Sequence, residues 1–121
     1  MGKKILMVDD DELVLIAIRE LLTPLGFGVT LSSNGPEALE KVANERFDLI
    51  ILDVIMPEMD GFEVCRKIRQ IHSYAETPII MLTAKSGEED KQRGVEVGAS
   101  LYLPKPISPK RLITLVEEAM G

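Results

Sequence analysis

The chain has 121 residues, the usual size of one domain and too short for two. Apolar residues make up 45% and charged residues 28%, which suits a buried core with a solvated surface, and a net charge of −6 argues against a grip on nucleic acid or an anionic membrane. The single Cys65 excludes an intrachain disulfide and fits a cytoplasmic setting, and no apolar run is long enough to be a signal peptide or to cross a membrane.

In chain order, two hydrophobic patterns alternate. Ile5-Leu6-Met7-Val8 is a short unbroken apolar run, as expected of a strand buried on both faces of a parallel sheet. Leu13 to Leu25 follows with helical spacing at Val14, Ala17, Ile18, Leu21, Leu22 and Leu25, and Gly26 is its stop signal. Val29-Thr30-Leu31 reads as a weaker strand, nearer an edge. Pro36 opens a helix carrying Leu39, Val42 and Ala43. Leu49-Ile50-Ile51-Leu52 is a second fully apolar strand. Asp60-Gly61-Phe62-Glu63 has the form of a capping box before Val64, Cys65, Ile68 and Ile71. Ile79-Ile80-Met81-Leu82 is the third apolar strand, and Ser86-Gly87-Glu88-Glu89 predicts another capped helix running to Val97. Leu101-Tyr102-Leu103 is an edge strand. Ser108-Pro109 begins a last helix with Leu112, Leu115, Val116 and Ala119 on one face. The order βαβαβαβαβα over residues 1–121 predicts one α/β domain, a doubly wound five-stranded parallel sheet with right-handed crossovers and helices on both faces.

In such sheets the ligand crevice lies outside the carboxyl ends of the strands. Asp9, Asp10 and Asp11 follow the first strand, Asp53 the third, Thr83 the fourth, and Lys105 lies beyond the fifth between Pro104 and Pro106. A lone Asp in such a place also serves as a helix cap, and for Asp11 capping is the better reading. Clustered carboxylates repel, and a site that keeps them usually holds a cation. All-oxygen ligands favour Mg²⁺ or Mn²⁺, while one Cys and one His argue against zinc. Cys65 reads as a core residue, and His72 has no assigned role. Carboxylate, divalent cation, hydroxyl and lysine together make a phosphoryl-transfer kit with Asp as nucleophile.

Val8-Asp9-Asp10, Leu52-Asp53-Val54-Ile55-Met56-Pro57, Met59-Asp60-Gly61, Leu82-Thr83-Ala84 and Tyr102-Leu103-Pro104-Lys105-Pro106 resemble the signature set of bacterial response-regulator receiver domains over the whole chain. The resemblance implies a flavodoxin-like fold with strand order 2-1-3-4-5. It implies a switch of two-component signalling rather than an enzyme with an external product. Asp53 would accept a phosphoryl group from a sensor histidine kinase or phosphotransfer protein. Asp10, Asp53 and the Ile55 carbonyl would ligate Mg²⁺, with Asp9 acting through water. Thr83 and Lys105 would contact the phosphoryl oxygens, Tyr102 would be the switch aromatic, and the Lys105–Pro106 bond would be cis. The downstream partner would be another protein or an effector domain, and the chain a monomer or a weak phosphorylation-dependent dimer. It ends at Gly121 just after the last helix, as a stand-alone receiver or one cut from a longer protein would.

Two other functions compete with this one. Asp-nucleophile phosphohydrolases use a similar sheet but need an acid two residues after the nucleophile, where this chain has Ile55. A receiver that only docks proteins would lack some acidic-pocket residue, Thr83 or Lys105, and none is missing. By the same resemblance Ile55 and Lys85 border the path of the attacking water, which predicts slow loss of the phosphoryl group. On the first helix, with Val14 at the zero of the wheel, Ile16 falls near about 200°, amid Glu12, Arg19 and Glu20. By resemblance to receivers whose first helix packs against the kinase's helical bundle, Leu15, Ile16 and Arg19 are expected to form a kinase-docking face.

Overall fold

The computed structural model describes residues 2–121. Its elements run β1 (Lys4–Val8), α1 (Glu12–Leu22), β2 (Gly28–Ser32), α2 (Gly35–Asn44), β3 (Leu49–Leu52), α3 (Gly61–Arg69), β4 (Ile79–Thr83), α4 (Glu88–Val97), β5 (Leu101–Pro104) and α5 (Pro109–Ala119). The five strands form one parallel sheet in the order β2-β1-β3-β4-β5. This is the expected five-stranded order with five helices.

The unbroken apolar runs are explained by burial on both sides. Successive strand residues point to opposite faces. Leu6, Val8, Ile50, Leu52, Ile79 and Met81 pack toward α2 and α3 with Ala38, Val42, Phe62, Cys65 and Ile68. Ile5, Met7, Leu49, Ile51, Ile80 and Leu82 pack toward α1 and α5 with Leu15, Ile18, Leu22, Leu112 and Val116. A strand covered on both faces has no solvated side to make polar, so its sequence does not alternate.

Three expectations change in detail. The first helix stops at Leu22, because Pro24 turns Thr23–Leu25 into a 3₁₀ turn closed by Gly26, and Leu25 lies half exposed. The buried face of α1 is Leu15, Ile18 and Leu22, whereas Ala17 is exposed. The cap of α4 is Gly87 rather than Ser86, and the Asp90 carboxylate accepts the Gly87 N–H at 3.2 Å. The caps of α3 and α5 are the expected Asp60 and Ser108, and α2 is capped by Asn34. Asn34, Asp60 and Ser108 accept the N–H groups of Glu37, Glu63 and Arg111 at 2.8, 3.0 and 3.2 Å.

Candidate functional site

The carboxyl ends of β1, β3, β4 and β5 deliver polar residues to one crevice. Asp9 continues directly from β1, its N–H donating to Ser32 O of β2 at 3.1 Å, and it is fully buried. Asp53 continues from β3 beside it, its N–H donating to Val8 O at 3.0 Å, and is also buried. Asp10 lies on the exposed rim, and one oxygen from each of Asp9, Asp10 and Asp53 falls within 4.8 Å of the others. Asp11 caps α1, accepting the Leu13 N–H at 2.9 Å.

Lys105 closes this cluster from the far side of the sheet. Its Nζ donates to Asp9 Oδ2 at 2.6 Å and to Asp53 Oδ2 at 3.1 Å. Backbone bonds fix both carboxylates further, since Asp9 Oδ1 accepts the Asp11 N–H at 2.8 Å and Asp53 Oδ1 the Ile55 N–H at 3.2 Å. Burial pushes the Asp9 carboxyl above its ordinary range, against the pull of Lys105. Burial draws Lys105 down, but its bonds to Asp9 and Asp53 outweigh that and raise it. One ammonium thus faces three clustered carboxylates, two of them desolvated. A compact divalent cation on oxygen ligands fits this excess of negative charge.

Thr83 ends β4 fully buried, and its Oγ1 accepts the Lys85 N–H at 3.2 Å. That leaves the hydroxyl proton free to be donated. The Tyr102 hydroxyl donates to the Lys85 carbonyl oxygen, so residue 85 bonds to both Thr83 and Tyr102. Burial, followed by the charges of Asp90 and Asp53, pushes the Tyr102 phenol up to about 12, so it is a donor at any ordinary pH. The Lys105–Pro106 peptide is cis.

The sequence matches the response regulator receiver domain over residues 5–117. The chain belongs to the response-regulator receiver family. This receiver is 46% identical over 112 residues to the alkaline phosphatase synthesis transcriptional regulatory protein PhoP of Bacillus subtilis, covering 93% of this chain and 46% of that protein. It is 42% identical over 113 residues to the response regulator MprA of Mycobacterium leprae, covering 93% of this chain and 49% of that one. The receiver therefore spans about half the length of these curated relatives. Among solved structures, the chemotaxis protein CheY4 of Vibrio cholerae superposes with a TM-score of 0.94 at 39% identity, covering 98% of this chain and 99% of that one.

The structure corrects one docking residue. Leu15 is 4% exposed and belongs to the core, because α1 rests on the sheet through it. Ile16, at 43%, is on the surface, and Arg19 is exposed beside it in a shallow groove with Glu12 and Glu37. Ile55 stands half exposed at the crevice rim.

Some site residues have no motif of their own. Phe62 is buried and stacks on Tyr102, with ring centroids 6.4 Å apart and planes 12° apart, and the Arg93 guanidinium lies over the Phe62 ring, 4.6 Å from its centroid. Gly94 receives the Tyr102 ring, and a Cβ there would lie 2.7 Å from Tyr102 Cδ2. Gly61 faces the carboxyl end of β3, where a Cβ would lie 2.2 Å from the Asp53 carbonyl oxygen. The sequence signal for Gly61 is its place in Asp60-Gly61. Nothing local marks Gly94 or Arg93.

Proposed function

We propose that this receiver accepts a phosphoryl group on Asp53 from a histidine kinase or phosphotransfer protein in a Mg²⁺-dependent reaction, then changes conformation to regulate a partner or effector domain. The observation that carries this reading is the buried pair Asp9 and Asp53 bridged by Lys105 beside exposed Asp10. Asp53 presents its carboxylate to the crevice from a strand end held by its own N–H on Val8 O at 3.0 Å. In the transfer, an Asp53 carboxylate oxygen forms the new P–O bond as the P–N bond of a phosphohistidine breaks, and that electron pair returns to the imidazole nitrogen. Lys105 already touches Asp53 and balances charge on the phosphoryl oxygens, and Thr83 has a free hydroxyl proton to donate to one of them. Asp10, Asp53 and the Ile55 carbonyl would hold the cation, with Asp9 acting through water, and the cation would supply further charge neutralisation. Ile55 offers no group that orients water, and the Lys85 amino group is engaged with Asp90 at 3.6 Å, which favours slow hydrolysis of the adduct. Ile16 and Arg19 on α1 are the proposed kinase contacts.

The test is incubation with acetyl phosphate and Mg²⁺ followed by intact mass measurement. One phosphoryl adduct is expected, abolished by chelator and by Asp53→Asn. Repeated turnover of phosphate esters would instead identify a hydrolase, and an adduct on another carboxylate of the wild-type protein would refute the assignment to Asp53.

A further inference from the structure

The helices α1 and α5 lie on one face of the sheet and run in the same direction, since each starts at the carboxyl end of its strand. Between them is a groove of about 340 Å³, with Val14, Ala17 and Leu21 on one wall, Ile107, Pro109 and Leu112 on the other, and Leu82 of β4 below. Ile113, one turn after Pro109, is partly buried, and Leu13 stands 78% exposed at the crevice end of α1. The outward crests of both helices carry charge. Lys110 and Glu117 lie seven residues apart on the crest of α5, the cation at the crevice end and the anion at the far end. Glu20 sits at the far end of α1, seven residues after Leu13 on the same crest. All three charged residues are exposed, and among the described residues none of them is in an ion pair.

We propose that a second copy of this chain covers the groove, related by a two-fold axis perpendicular to both helices, so that each helix lies antiparallel on its own counterpart. Charge selects both the occupant and the direction. A helix crest that is basic at one end and acidic at the other complements itself when reversed. Lys110 of each copy then meets Glu117 of the other, in two equivalent pairs. A two-fold axis along the helices would instead set Glu20 beside the partner's Glu117, two anions with no cation between them. On α1 the reversal centres on Ala17, whose small side chain lets the helices approach closely. It also carries Leu13 of each copy over Leu21 of the other, removing exposed apolar surface from water. Each helix has 11 residues and is about 16 Å long. Two such helices bury less than about 1,200 Å² in total, the range of weak and transient association. The pairing needs no phosphoryl group, because Lys110, Glu117, Leu13 and Ala17 all lie outside the acidic crevice, and it does not rest on the phospho-acceptor reading of Asp53.

Sedimentation velocity on the whole, unphosphorylated chain tests this. Between about 20 µM and about 1 mM the sedimentation coefficient should rise from the monomer's toward the dimer's, and about 0.5 M NaCl should reduce the rise. Lys110→Glu and Glu117→Lys should each weaken the dimer about tenfold or more, since each puts two like-charge pairs into it. Net charge alone predicts otherwise for Glu117→Lys, which loses one anion and gains one cation and so takes the chain from −6 to −4. An equimolar mixture of the two variants should regain the wild-type affinity, because every pair between positions 110 and 117 across it joins opposite charges. Ala17→Cys should cross-link to itself on oxidation, while Val95→Cys, at an exposed position of α4, should stay monomeric, and Cys65 is buried and does not compete. A monomer throughout the concentration range would overturn the proposal. So would a Glu117→Lys dimer as tight as the wild type, a mixture without recovery, or cross-linking through Val95→Cys in preference to Ala17→Cys.

Discussion

Glu58 holds a φ of 68°, in the left-handed region that costs an L-residue roughly 1 kcal/mol or more. Glu58→Gly should therefore raise stability by about 0.5–1 kcal/mol in denaturant unfolding, the gain being set by relief of that strain against the greater freedom of glycine in the unfolded chain. Tyr74 presents the opposite case. Its buried hydroxyl donates to Glu45 O at 2.6 Å and accepts the Phe47 N–H at 3.1 Å. Tyr74→Phe leaves both backbone groups unpaired and should cost about 1–3 kcal/mol by the same measurement. Asp9 yields a prediction whose sign depends on the cation. Its carboxyl is raised by burial, so the cation-free folded state keeps that proton to higher pH than the unfolded chain does. Ionising it therefore subtracts stability as pH climbs through the raised value. Asp9→Asn should melt higher than wild type in chelator at pH 7. Asp10→Asn should mainly weaken Mg²⁺ binding, read by titration, and unchanged affinity would refute its role as a ligand.

At the scale of the element, α1 separates two neighbouring residues. Leu15→Glu puts a carboxylate between helix and sheet and should cost more than about 3 kcal/mol or prevent folding. Ile16→Glu should leave the melt and acetyl phosphate labelling nearly unchanged while slowing transfer from the cognate kinase, as competition assays with the purified kinase would read. The sequence located this helix correctly but placed its buried face about a fifth of a turn away, by geometry. The reason is physical. Val14, Ala17 and Leu21 line an apolar groove facing Ile107, Pro109 and Leu112, while Leu15, Ile18 and Leu22 meet the sheet, so one wide apolar arc serves two surfaces. A hydrophobic pattern marks that arc without saying which part of it is covered. The strands were legible for the converse reason, since burial on both faces leaves no ambiguity of side. The crevice was legible because Asp9, Asp53 and Thr83 interrupt apolar runs at equivalent strand ends. Arg69 was not, because its partners at Tyr74, Thr77, Gly98 and Ser100 come together only through the fold.

For the whole molecule, the crevice ties together segments far apart in the chain, with Lys105 reaching Asp9 and Asp53 from beyond β5. A cation bound there favours the folded state alone, so Mg²⁺ at ten times its dissociation constant should add about 1.4 kcal/mol and raise the melting temperature by roughly 5 °C. Asp10→Asn should shrink that increment, which calorimetry with and without chelator would show. The contact between Gly61 and the Asp53 carbonyl bears on what heredity can do with this fold. The Gly61 N–H donates to Val54 O at 2.9 Å, so the loop from Val54 to Asp60 begins and ends at one point with no room for a methyl group between its ends. An added or lost residue in that loop would displace either the helix start or Asp53. This connection is held to its length, and descendants of the sequence can rewrite its letters far more readily than their number.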